Sequence, residues 1–170
     1  MKLIPLAITI LCAIIMFGGL IGYTITGEVE DIPVPQQGIG VGISPDPLQE
    51  MPVSSWMVSA KAEITWNADV WVGVIDETQA ASCEGIINTC SGSSMDFVAG
   101  GTGTQSSRSL TWQVSSGTYY AAAGQATGSS PAATFDASYE IKVKLAWPIL
   151  ILAGLIGTGA AAMTFPGMRI

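Results

Sequence analysis

Residues 135–165 read FDASYEIKVKLAWPILILAGLIGTGAAAMTF, and the chain changes character in the middle of this stretch. Apolar Phe135, Ala137, Tyr139, Ile141 and Val143 alternate with polar Asp136, Ser138, Glu140, Lys142 and Lys144. A period of two puts the apolar set on one face of a β-strand and the polar set on the other. From Leu145 to Phe165 there follow 21 residues without a charge. At the rise of an α-helix they cover roughly 31 Å, the thickness of a bilayer's hydrocarbon core. A half-buried strand therefore runs into a membrane-length helix, with only Leu145 to Trp147 between them, which predicts a β domain that sits close to a bilayer.

The other end of the chain repeats the signal. Leu3 to Tyr23, LIPLAITILCAIIMFGGLIGY, is again 21 residues without a charge. Pro5 and Pro148 fall in the first turn of each run, where a missing N–H costs nothing, and Tyr23 and Trp147 sit where aromatic rings favour the lipid–water boundary. The rival reading is a cleaved secretory signal, but the run is longer than the apolar core of one and, of the candidate cleavage sites near Gly19, Gly22 and Thr26, only Thr26 is tolerable, so a retained span is expected. Lys2 precedes it, whereas Glu28, Glu30 and Asp31 follow it. The positive-inside rule then places both termini in the cytoplasm and residues 24–144 outside.

Composition agrees. Only 11% of the 170 residues are charged and 49% are hydrophobic, against about 25% charged in soluble domains. The net charge of −7 argues against nucleic acid as a partner. No histidine is present, which removes the commonest general base and metal ligand. There is no HExxH, G-x-S-x-G or P-loop pattern, so no enzyme is predicted, and no cofactor. Asp69, Asp76, Glu77, Glu84 and Asp96 lack the spacing of a calcium loop and read as solvated loop acids. Gly100 to Thr104, GGTGT, lacks the lysine of a phosphate loop and reads as a hairpin tip.

The expected organisation is a first membrane helix within 1–26, an extended strap over 27–53, a β-sandwich over 54–144 and a second helix with a short tail over 145–170. The strap holds Pro33, Pro35, Pro45, Pro47 and Pro52 among Gly38, Gly40 and Gly42, a composition that suppresses helix and interrupts sheet. Beyond it, Trp56 to Trp66, Asp69 to Asp76, Arg108 to Val114 and Thr118 to Ala123 precede the strand already described. Period two puts Trp56, Val58, Ala60, Ala62, Ile64 and Trp66 on one face. With about six strands and no helical period, the domain is predicted to be an all-β antiparallel sandwich or jelly roll. Cys83 and Cys90 lie outside the membrane, where a disulfide closing CEGIINTC is expected to contribute about 2.5 kcal/mol; Cys12 lies within a span.

The order VWVGVID, SLTWQV, SSGTYYAAAGQ, SYEIKVKL over about residues 60–145 resembles the small β-sandwiches of the GOLD (p24-type) and pre-peptidase C-terminal-like classes, with Gly117-Thr118-Tyr119 matching their Gly-x-Tyr turn. The resemblance implies a fold. It does not carry cargo-receptor function, because no heptad segment precedes the second span and the cysteines lie seven apart in one loop.

Two further sets of residues are candidates for contact. Gly18 and Gly22 form a GxxxG, and Ala153, Gly157 and Ala161 form a small-xxx-small stripe, patterns that let helix backbones approach closely, either between the two spans or with another subunit. Trp71 has the parity opposite Val70, Val72 and Val74 and is the candidate surface contact. The function expected is that of a non-enzymatic accessory or scaffold subunit whose partners are the bilayer and other integral membrane proteins. The alternative is a surface module that recognises carbohydrate or an envelope protein.

Overall fold

The computed structural model describes residues 3–36, 40–48, 56–83, 90–106, 108–128 and 133–164. They fall into two compact units, one of Ile25–Pro52 with Lys61–Ile141 and one of Met1–Thr24, Val53–Ala60 and Lys142–Ile170. Along the chain the elements are α1 (Leu3–Ile21), β1 (Tyr23–Pro33), β2 (Gly42–Ile43), β3 (Val58–Trp66), β4 (Val70–Asp76), α2 (Glu77–Ser82), β5 (Ala99–Gly100), β6 (Ser109–Val114), β7 (Tyr119–Gln125), β8 (Thr134–Leu145) and α3 (Trp147–Thr164). The strands make two four-stranded sheets, β1-β8-β3-β6 and β2-β7-β4-β5.

The first sheet buries one face. In β3, Ala60, Ala62, Ile64 and Trp66 are buried and Ser59, Lys61, Glu63 and Thr65 are exposed. Trp112 and Val114 of β6 and Phe135, Ala137 and Ile141 of β8 follow the same rule. The second sheet is antiparallel throughout, and its central strand β4 is buried from Val70 to Ile75 on both faces. Val70, Val72 and Val74 share one face with Ala121 and Ala123, matching the single buried face of the other sheet in the manner of a β-sandwich. Burying a valine or isoleucine side chain fully is worth about 1.5–3 kcal/mol, so this alternation supplies the main driving force.

The strap is the first departure from expectation. Residues 27–53 contribute most of β1 to one sheet and all of β2 to the other. β1 begins at Tyr23, immediately after Gly22, because Tyr23, Ile25, Gly27 and Val29 already alternate with Thr24, Thr26, Glu28 and Glu30. Near its end Glu30 and Asp31 are exposed in succession, and the buried set resumes at Ile32. Asp31 takes φ 54°, and its N–H donates to Asp136 Oδ1 at 3.0 Å. This has the form of a bulge, which lets Val29 and Ile32, three residues apart, both face inward. Asp31→Val places a β-branched residue at positive φ and should cost about 1–2 kcal/mol. Asp31→Gly should be close to neutral. Denaturant titration of the full chain in micelles checks both, and equal stability of all three proteins would remove the bulge.

A short helix, α2, also departs from the all-β expectation. Asp76 caps it by accepting from the Gln79 N–H at 2.8 Å. Residues 100–104 do not form a hairpin tip. β5 pairs with Gly73 and Val74 of β4, and beyond its end the Thr104 hydroxyl accepts from the Val72 N–H at 2.8 Å, standing in for the next strand residue. The Gly117-Thr118-Tyr119 turn is held by Tyr119, buried, whose hydroxyl donates to the Ser115 carbonyl at 3.2 Å.

Candidate functional site

Two places drew the functional expectations, the outer face of β4 and the helix pair. On β4, Trp71 is 7% exposed, so its ring offers no surface contact. It lies opposite Gly124 of β7 in the register and meets Phe97 edge-on, ring centres 5.8 Å apart. Val41, Ile43, Ile75, Cys83 and Ala122 complete a second hydrophobic core there, with Ala80, Cys90, Met95, Phe97 and Tyr120 packed against it. Cys83 of this core and Cys90 packed against it are joined by a disulfide, with their Cα atoms 5.9 Å apart. Opening the loop by Cys83→Ser with Cys90→Ser should lower stability by about 2.5 kcal/mol in the chain-entropy account. Alkylation of denatured, unreduced chain should label Cys12 alone, the free cysteine; labelling of all three would refute the pairing.

The described loop acids form no common cluster. Asp69 pairs with Arg108 at 3.3 Å and Asp76 caps α2, while Glu84 lies outside the described residues. Among the described residues no group of three or more His, Cys, Asp or Glu side chains is placed to hold a metal ion.

The helices are long and apolar enough to cross a membrane, with mean hydropathy 2.6 over α1 and 1.6 over α3. Only 11% and 22% of their residues are buried, whereas the core helix of a soluble domain is mostly buried. Their outward side chains are large and apolar, among them Leu3, Phe17, Ile21, Leu155 and Met163. The hydroxyls of Thr9, Thr158 and Thr164 each donate back to the carbonyl four residues earlier, at 2.9 Å, so no helix threonine needs water.

The two helices pack against each other. On α1 the covered or half-covered positions are Pro5, Thr9, Cys12, Met16 and Gly19, and on α3 they include Ala153, Gly157, Ala160 and Thr164. Spacings of four and three alternate in both, the heptad seam of helices that stay in contact along their length. A Cβ on Gly157 would lie 3.1 Å from Cys12 Cβ, one on Gly154 would touch Met16 at 3.9 Å, and one on Gly19 would run into the Leu145 side chain. The pairing is antiparallel, since position rises on one helix as it falls on the other.

Ala153 and Gly157 thus stand at a helix contact as expected, and Ala161 is half-buried beside Ala160, which takes the buried place. Gly18 does not join this seam: nothing lies within 4 Å of the position its Cβ would take. Gly22 is outside the helix altogether. At φ +75° its N–H donates to the Gly18 carbonyl at 3.0 Å, closing α1 with a left-handed cap, and a Cβ there would meet the Val143 carbonyl. A pattern of small residues four apart does not mark Cys12, Met16, Gly19, Gly154 or Ala160; repeats of seven, Cys12 to Gly19 and Ala146 to Ala153 to Ala160, carry that signal. Tyr23 and Trp147 are both exposed, at the first residue of β1 and of α3.

No protein-family model and no curated protein matches the chain. The likeness to GOLD-type sandwiches therefore stands on the residues quoted for it.

Proposed function

We propose that the chain is a two-pass protein of the cell membrane, with both termini in the cytoplasm and residues 24–144 outside, serving as a non-enzymatic accessory or scaffold subunit of a membrane complex. Its partners are the bilayer and other integral membrane proteins. The observation that carries this reading is the pair Gly18 and Gly159. Each is exposed on a membrane-length helix, and the position of its Cβ is open space. Glycine costs about 1 kcal/mol relative to alanine in a helix interior on water-based scales, and an outward face needs only apolar bulk. Unlike Gly157, neither contributes to the contact between α1 and α3, so each leaves room for the backbone of a neighbouring helix. The surface-module alternative loses Trp71 as its contact. Kinship with GOLD-type sandwiches remains a proposal about fold alone.

Gentle detergent extraction followed by native mass measurement is the test. A stoichiometric complex with other membrane proteins, weakened by Gly18→Leu or Gly159→Leu, is the expected result; a lone monomer or homodimer from native membranes overturns the subunit reading. Orientation is read separately. Gly103, exposed with open space around it, becomes Gly103→Cys and should react with an impermeant maleimide on intact cells. Protection until the cells are opened would reverse the topology.

A further inference from the structure

A third exposed aromatic stands beside the two that mark the ends of the helices. Period two assigns Trp56 to the inward face of a strand, but β3 starts only at Val58, and Trp56 and Met57 form a turn before it. Trp56 is 64% exposed and Met57 39%. The Ala146 N–H donates to the Met57 carbonyl at 2.9 Å. Trp56 and Trp147, the latter 73% exposed, therefore flank the two ends of one hydrogen bond, at the first residue of α3. Tyr23, 71% exposed, follows Gly22, and Gly22 is set against Val143 and Lys144, just before Ala146. All of these residues belong to one compact unit.

We infer that the Trp56–Met57 turn is a third membrane contact, inserted at the lipid–water boundary between the two helix ends, and that its occupant is the bilayer itself. This rests on the membrane-spanning reading above. Continuity with the spans decides for lipid: a turn hydrogen-bonded to the residue before a membrane helix lies at the depth where that helix leaves the hydrocarbon. Indole rings settle at that depth because one edge is apolar and the N–H is polar. Met57 adds a flexible apolar side chain, and exposed Lys144 supplies a cation that extends toward the headgroups. A large, exposed tryptophan in a tight turn is otherwise a solubility cost with no return in packing. The contact fixes the start of β3 at the membrane surface, so that three chain segments, and not two, meet the boundary.

The test uses tryptophan emission from the purified full chain in phosphatidylcholine vesicles whose acyl chains are brominated close to the headgroup. Trp66, Trp71 and Trp112 are buried and contribute little to quenching from lipid. Wild type, Trp56→Phe and Trp147→Phe are compared, since phenylalanine at an exposed site leaves the fold intact. If Trp56 and Trp147 both sit at the boundary, each substitution should remove about half of the lipid-quenched emission. Should Trp147→Phe lower it while Trp56→Phe does not, and iodide in the water quench Trp56, the turn faces water or awaits a partner protein and the inference is overturned with the spans intact. If bromolipid quenches neither residue, the spanning reading fails and the inference fails with it.

Discussion

Trp71→Ala is expected to lower the stability of the β domain by about 3–5 kcal/mol, the range for removing a large aromatic side chain from a core. Against a typical total of about 5–15 kcal/mol that is about a fifth at the least. The indole is boxed in on several sides. A Cβ at Gly124 would lie 2.5–2.8 Å from ring atoms, one at Gly92 would lie 3.0 Å from the ring, and Phe97 presents its edge. Backbone cannot easily fill the space left, because Gly124 and Gly73 belong to paired strands whose ladder fixes them. The reverse change tests the same fit: Gly124→Leu forces the ring outward and should cost about 1–3 kcal/mol by overpacking. Denaturant midpoints of the full chain in micelles, with unchanged slope, measure both. A loss below about 1 kcal/mol for Trp71→Ala would mean the ring is not packed and would restore it as a candidate for contact.

Trp71 marks where period two stops being informative. Alternation says that Trp71 and Val72 face opposite ways; it does not say which face is covered. The cover here comes from α2, one and a half turns long, and from the loop carrying Met95 and Phe97, neither of which has a period to detect. Two other signals were present. VWVGVI is apolar on both parities, the pattern of a strand buried on both faces, and its partner YYAAAGQ is small where a flat ring needs room. β1 was hidden differently. Its alternation from Tyr23 to Glu30 is as clear as that of β8, but it spans the boundary between an apolar run and a proline-rich one, and that change of composition masks it. By contrast β3, β4, β6, β7 and β8 are legible within about two residues, since each keeps an apolar set at period two against a core. In the helices, composition discloses two segments long and apolar enough to span but not their seam, because which of several small residues meets the other helix depends on rotation about the axis, and Gly22 is a stop signal outside the helix face.

Gly157→Cys should form a disulfide with Cys12 almost completely under mild oxidation, and this outcome separates a helix pair from two independent anchors. A Cβ at position 157 lies 3.1 Å from Cys12 Cβ and 3.9 Å from its sulfur. Disulfides hold the two Cβ atoms about 3.5–4.5 Å apart, so the helices need part by only a few tenths of an ångström. No other thiol competes, since Cys83 and Cys90 are bonded to each other. The product is a monomer that has lost two hydrogens and no longer takes up alkylating reagent. Gly159→Cys, two residues along and open to its surroundings, should stay reduced and reactive in the monomer. If Gly157→Cys remained fully alkylated, or linked only chain to chain, the seam would be absent and its small residues would be available to a neighbour. A cross-link within the chain has the opposite consequence. It assigns Ala153, Gly157 and Ala160 to the chain's own hairpin, so that any partner helix must approach through the outer faces, where Gly18 and Gly159 leave the backbone uncovered.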